Sequence, residues 1–173
     1  MAHQRLNAQR FATTDTAQIL RWCAPRTASV LAIVTVLSAG VVLAPSARAD
    51  AVADLRDALA SDRAATSCGP LRSDPIVGQV AQKITQSNDD WLDHTATQVP
   101  IADPLPGLKI LGYRGNKGTA LQGAGKTEEN AIKGVLLEGY DKIPDCSYTD
   151  YGASTQRNDR TGWYLATVVL AGA

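Results

Sequence analysis

Apolar and polar residues recur along this chain with spacings that predict helices first and strands last. Between residues 50 and 65, apolar side chains fall at i, i+3 and i+7, which predicts an amphipathic helix. A second helix is expected over residues 75–95, with Asp74 as its N-cap and Pro75 at its first position. Gly69 and Pro70 separate the two helices, and a proline-bearing loop is expected after the second.

The second half of the chain predicts a mixture of helix and strand. A short helix over 105–111 and a short strand over 119–123 precede a helix that Thr127 caps. Runs rich in Tyr, Thr and Val at 147–156 and 163–171 predict a β-hairpin. This order predicts an α+β fold in which helices flank a small antiparallel sheet.

The beginning of the chain has the pattern of a secretory signal peptide. A mainly apolar run over 28–44 follows several arginines and ends at Ala47-Arg48-Ala49, a small-x-small cleavage pattern. Cleavage after Ala49 is expected, so residues 1–49 are interpreted as the signal peptide. The alternative is an uncleaved anchor, although 17 interrupted residues are short for a membrane-spanning helix.

Charge and length limit the functions open to the rest of the chain. Five of the 17 basic residues and one of the 17 acidic residues precede residue 50, so residues 50–173 carry 12 basic and 16 acidic residues, a net charge of −4. Such a domain lacks the basic surface that nucleic acids require. Residues 50–173 are enough for one compact domain.

Two cysteines, Cys68 and Cys146, follow the predicted signal peptide. In an exported domain they most simply form one disulfide; two free buried thiols are the alternative. A zinc site is not expected, because such sites need four ligands and His94 is the only histidine after residue 49.

Two short motifs suggest catalysis or nucleotide binding but fit poorly. Residues 123–127 (GAGKT) resemble a phosphate loop, but the pattern needs a glycine where Ala120 stands, so no nucleotide is expected. His94 is read either as a metal ligand or general base, or as an exposed residue at a helix end. No serine has the G-x-S-x-G setting of a hydrolase.

Several blocks in order resemble the CAP superfamily of cysteine-rich secretory, antigen 5 and pathogenesis-related proteins, in a small secreted form similar to actinobacterial versions. The blocks are 71–75 (LRSDP), 111–113 (LGY), 125–129 (GKTEE), 148–153 (YTDYGA) and 163–164 (WY). The resemblance implies an α-β-α sandwich, with residues 50–67 as an N-terminal helix and 68–173 as the CAP-like domain.

The resemblance also implies a cavity, whose usual metal ligands are mostly replaced here. His94 fits the first histidine. The expected glutamate would fall near Thr119 or Ala120, and the expected second histidine near Asp141. The resemblance therefore predicts no metal and no catalytic residue. The candidate ligand cavity consists of Trp91, His94, Tyr113, Thr119 and Asp141.

The function expected from the sequence is that of a secreted, non-enzymatic interaction or binding module without a cofactor. Its partner is expected to be a protein or a lipid-like apolar ligand, and an apolar groove between the capped helix and the sheet is the feature that would favour it. The alternatives are a degenerate metal-dependent hydrolase that uses His94 and a signal-anchored component of the cell envelope.

Overall fold

A computed structural model describes residues 47–173, which form four helices and four strands. The helices are α1 (Ala47–Ala64), α2 (Pro75–Leu92), α3 (Leu105–Ile110) and α4 (Glu128–Glu138). The strands are β1 (Arg72–Ser73), β2 (Lys117–Gly125), β3 (Tyr148–Arg157) and β4 (Tyr164–Gly172). Apart from residues 47–49, with which α1 begins, the predicted signal peptide lies outside the described residues.

The strands form one open sheet in the order β1-β3-β4-β2. The predicted hairpin of β3 and β4 is present, and β2 pairs antiparallel with β4 from Lys117↔Gly172 to Gly125↔Tyr164. The predicted sheet is antiparallel except at its edge, where the two residues of β1 join β3 in parallel. The α+β class is confirmed.

Helices cover both faces of the sheet, and this arrangement confirms the sandwich. Side chains alternate along β4, so that Val168 and Leu170 pack with α1 and α4, whereas Val169 packs with α2 and α3. Residues 165–172 are all buried. The strand is therefore central, as its continuous apolar sequence predicts.

Glycines allow the helices to approach the sheet closely. A side chain at Gly123 of β2 would collide with the carbonyl oxygen of Ala131 in α4. A side chain at Gly152 of β3 would collide in the same way with the backbone of Val77 in α2. The backbones thus meet at distances that only glycine permits.

Two links join the end of α1 to the segment that leads into β3. One is the disulfide between Cys68 and Cys146, as the sequence predicts. The other is Arg63, which is buried and donates hydrogen bonds to the carbonyl oxygens of Gly69 (2.9 Å) and Tyr148 (2.8 Å). The same guanidinium donates to the carbonyls of Ile143 and Asp145. Both links therefore hold the same piece of chain.

In the part of the chain that the structure describes, no helix has both the length and the apolar character needed to cross a membrane.

Candidate functional site

The five residues of the predicted cavity do not line one cavity. Trp91 lies in the last turn of α2, and His94 follows shortly after that helix. Tyr113 lies beyond α3, where its hydroxyl donates to Asp150 at 2.7 Å. Asp141 lies in an exposed turn after α4, where it pairs with Lys142 at 2.7 Å.

The pleat of the sheet and the placement of the helices explain this separation. Thr119 lies two residues before Leu121, whose side chain packs in the core formed with α1 and α4. Every second residue of a strand has its side chain on the same face of the sheet, so Thr119 lies on the face covered by α1 and α4 as well. Trp91 lies in α2, which covers the opposite face, and His94 follows the end of that helix. Thr119 and Trp91 therefore lie on opposite faces of the sheet.

His94 has the position of a helix-terminal residue. Its side chain is exposed, and its φ of 55° is the left-handed conformation that often ends a helix. The neighbouring carboxylate of Asp93 accepts hydrogen bonds from Asn158 (2.8 Å) and Arg160 (3.0 Å), and these bonds lower the pKa of Asp93. Within residues 47–173, no three His, Cys, Asp or Glu side chains are grouped so that they would hold a metal ion.

No open groove lies along the contact between α4 and β2 that glycines make. Gly134 of α4 lies directly against Gly123 of β2, and their backbones are in contact. This close packing leaves no room for a ligand between Gly123 and Gly134. A concave surface of about 230 Å³ does lie between the start of α4 and the sheet, where Glu128, Arg157 and Tyr164 are among its lining residues. Two further concave surfaces have more apolar linings.

The first such surface is a slot beside α1, which we call the α1 slot. One stripe of the helix forms its wall, since residues spaced by three or four positions share a helix face. The slot has a volume of about 180 Å³ and is partly enclosed. Its lining includes Arg56, Leu59, Ala60, Arg63, Leu71 and Tyr151.

The chemistry of the α1 slot combines an apolar interior with positive charge. Leu59 is fully buried, and the partly buried Leu71 and Tyr151 pack against the same core. Arg63 lies beneath the slot, where its donors are taken by backbone carbonyls. Arg56, by contrast, is exposed at the rim. An apolar group can enter the slot, and an anionic group can meet Arg56 outside it.

The second surface lies between the end of α2 and the edge of β2 and β4, and we call it the tryptophan groove. It has a volume of about 310 Å³ and is more open than the α1 slot. The residues that define it are Asn88, Trp91, Gln122, Trp163 and Leu165. Of the five residues of the predicted cavity, Trp91 alone belongs to this groove.

Sequence reasoning missed Arg56 and Tyr151 in the α1 slot and Gln122 and Trp163 in the tryptophan groove. The spacing of Arg56, Ala60 and Arg63 does place them on one face of α1. The predicted disulfide links residue 68 to residue 146, but it does not reveal that residues 68–71 fold back over that face of α1. The hydrogen bonds of the buried Arg63 hold this path, and the sequence does not indicate them.

Comparisons with known proteins show the fold. No family model matches the chain, and no curated protein matches it by sequence. Among solved structures, an outer surface protein from Borrelia burgdorferi is similar, with a TM-score of 0.57 and 12% sequence identity over 71% of this chain and 92% of that one.

Two further similar structures are a cysteine-rich secretory protein from Staphylococcus aureus and an extracellular protein containing an SCP domain from Bacillus anthracis. The TM-score is 0.50 for both, with identities of 11% and 12% over 75% and 73% of this chain. The chain spans about two fifths of the length of these two proteins, 40% and 41%. The fold is therefore CAP-like, as the sequence resemblance implies.

Proposed function

We propose that this protein is an exported, non-enzymatic binding module and that the α1 slot binds an anionic amphiphile. Export is supported by the signal-peptide pattern and by the similar structures, which are those of outer-surface, secretory or extracellular proteins. The observation that carries the binding role is the combination of apolar walls with Arg56 at the rim of the slot.

The size of the slot limits the ligand. Small-molecule sites usually measure about 300–1,000 Å³, and the α1 slot has about 180 Å³. Only a short acyl chain or one end of a longer chain fits inside. The carboxylate or phosphate of the ligand then lies near the rim, where the planar guanidinium of Arg56 donates paired hydrogen bonds to it.

Calorimetry with octanoate and octan-1-ol tests this proposal on the purified chain, expressed with its own leader. Arg56→Gln is expected to weaken octanoate binding about two- to fivefold, the range of an exposed ion pair, and to leave octan-1-ol unchanged. Arg114→Gln, which changes an exposed arginine outside the slot, is the matched control and is expected to have no effect.

A second pair of variants tests the location. Ala60→Phe fills the slot and is expected to abolish binding of both probes, whereas Ala53→Phe changes an exposed alanine of α1 outside the slot and is expected to preserve it. If octanoate does not bind, or if Ala53→Phe and Ala60→Phe weaken it equally, the α1 slot is not the ligand site.

The non-enzymatic part of the proposal is tested at His94. Transition-metal sites need three or four well-placed ligands with supporting hydrogen bonds, and Asp93 beside His94 is already bonded to Asn158 and Arg160. We expect His94→Ala to leave zinc affinity and folding nearly unchanged, as measured by calorimetry and thermal unfolding. Submicromolar zinc binding that disappears in the variant would revive the hydrolase alternative.

A further inference from the structure

The tryptophan groove carries a second inference, which is independent of the ligand proposed for the α1 slot. We propose that this groove binds a neutral pyranose sugar. The two sites lie on opposite faces of the sheet: α1 covers one face and α2 the other. Each can therefore be tested while the other is intact.

Two indole rings supply the apolar part of the recognition. Trp91 is 48% exposed although it belongs to a well-packed helix, and Trp163 is half-buried across the groove. The ammonium of Lys126 lies 4.7 Å from the centre of the Trp163 ring, which holds that ring in place. A pyranose presents a face of C–H groups that packs flat against such a ring.

Two side-chain amides supply the polar part. Asn88 Nδ2 donates to Gln122 Oε1 at 2.5 Å. Each amide has one acceptor oxygen and two N–H donors. Within the described residues, Asn88 Oδ1 and Gln122 Nε2 have no hydrogen-bond partner, and Asn88 Nδ2 uses only one of its two N–H groups. One acceptor and three donors are therefore available side by side. A sugar hydroxyl both donates and accepts, and it satisfies this combination.

A third polar group lies next to this amide pair. Thr167 of β4 is fully buried, and within the described residues its hydroxyl has no hydrogen-bond partner. Gln122 and Thr167 are direct partners in the ladder of β2 and β4, so both side chains lie on the α2 face of the sheet. A buried hydroxyl without a partner is uncommon in folded proteins. Thr167 is not among the residues that line the groove, so this hydroxyl does not itself contact a ligand there.

The lining residues favour a sugar over other occupants. No charged side chain is among the residues that line the groove, and the nearby Lys126 ammonium is already placed against the Trp163 ring. A purely apolar ligand would remove the two amides from water without giving their free atoms partners, which is unfavourable. The volume of about 310 Å³ is at the lower end of the usual range for small-molecule sites, which suits a single ring with its neighbour outside.

The test measures binding of four neutral disaccharides by saturation-transfer NMR and titration of tryptophan fluorescence. The probes are cellobiose, maltose, lactose and diacetylchitobiose, with sorbitol as a control that has hydroxyls but no ring and toluene as a ring without hydroxyls. We expect at least one disaccharide to bind, with neither control competing.

Variants locate the binding and separate its two parts. Trp91→Ala is expected to lower the affinity for the sugar at least tenfold, which is the effect usual for a tryptophan at the centre of a binding site. Trp91→Phe is expected to restore part of that affinity. Gln122→Leu is expected to abolish sugar binding and to allow toluene to bind. Tyr140→Ala, which removes an aromatic side chain that is 84% exposed outside the groove, is the matched control and is expected to change nothing.

The proposal would be overturned if none of the four disaccharides bound to the unchanged protein. It would also be overturned if toluene bound to that protein and no sugar did. Sugar binding that is insensitive to both Trp91→Ala and Gln122→Leu would overturn it as well. Octanoate binding measured on the same variants shows whether the α1 slot is affected, so that failure at one site is distinguishable from failure at the other.

Discussion

Glu128 and Glu129 show how adjacent residues acquire opposite electrostatic roles. Both lie in the first turn of α4, where the helix dipole favours negative charge. Burial, together with the nearby carboxylates of Asp54, Glu129 and Asp50, raises the pKa of Glu128. A hydrogen bond from its own backbone N–H, and another from the Thr127 hydroxyl, lower the pKa of Glu129. From the sequence, both charges are expected to be favourable because of the helix dipole. The sequence does not reveal that Glu128 lies near the acidic residues of α1.

We predict that Glu128→Gln raises the free energy of unfolding at pH 7 and that Glu129→Gln lowers it. A carboxyl whose pKa is raised on folding costs stability once pH exceeds its ordinary value, whereas a lowered pKa contributes stability there. Both effects should shrink toward about pH 3, where carboxyl groups are largely protonated in the unfolded chain. Urea unfolding at the two pH values measures them. Equal destabilisation by both variants would contradict the assignment.

At the scale of elements, locally encoded structure was predictable and tertiary pairing was not. Asp74 accepts hydrogen bonds from the N–H groups of Ile76 (2.8 Å) and Val77 (3.0 Å), and Thr127 caps α4 in a similar way. Such caps depend on neighbours in sequence, which is why both helix starts were predicted. Strand β1 has only two residues and no periodicity, and it forms because β3 offers a free edge.

The glycine contacts predict opposite effects of the same substitution in two elements. Gly123→Ala places a methyl group against the backbone of α4 and is expected to cost about 1–3 kcal/mol, the usual penalty of overpacking. Gly78→Ala lies in α2 with nothing within 4 Å of the new atom, and should gain about 0.5–1 kcal/mol from helix propensity. Chemical denaturation measures the free energy of unfolding of both variants. If Gly78→Ala destabilised the protein as much as Gly123→Ala, this description of the packing would be refuted.

Arg63 and the disulfide are predicted to stabilise the domain in a coupled manner. Arg63→Lys loses the planar set of donors and is expected to cost about 1–3 kcal/mol. The Cys68→Ala/Cys146→Ala pair opens a link between residues 78 positions apart and should cost about 4–5 kcal/mol in the chain-entropy model. Since both links hold the segment before β3, the combined variant should lose about 0.5–3 kcal/mol less than the sum. Additive losses in a double-mutant cycle would show that the links act separately.

At the scale of the whole molecule, the layers were predicted better than the sites. The family resemblance predicted the sandwich, and the two cysteines after residue 49 predicted the disulfide. The residues of the candidate cavity were placed along the chain without knowledge of which face of the sheet each one occupies. Thr119 is the clearest case, since Ala120, the alternative position that the resemblance offers, lies on the α2 face with Trp91.

Export is also a property of the whole molecule, and we predict that the exported protein begins at Asp50. The α1 side chains that pack into the core include Ala51, Leu55 and Leu59, and all of them follow the predicted cleavage point. Cleavage after Ala49 therefore keeps these contacts, and it leaves the carboxylate of Asp50 in the first turn of the helix, where the dipole favours it.

N-terminal sequencing of protein from the culture medium measures the cleavage point, with Ala49→Asp as the matched variant. The substitution breaks the small-x-small pattern and is expected to leave the uncleaved precursor in the membrane fraction. The fold of residues 50–173 should be unchanged in that precursor, since the substitution lies before the core residues. Recovery of the unchanged chain only in the membrane fraction, with residues 28–44 intact, would instead identify the protein as an anchored component of the envelope.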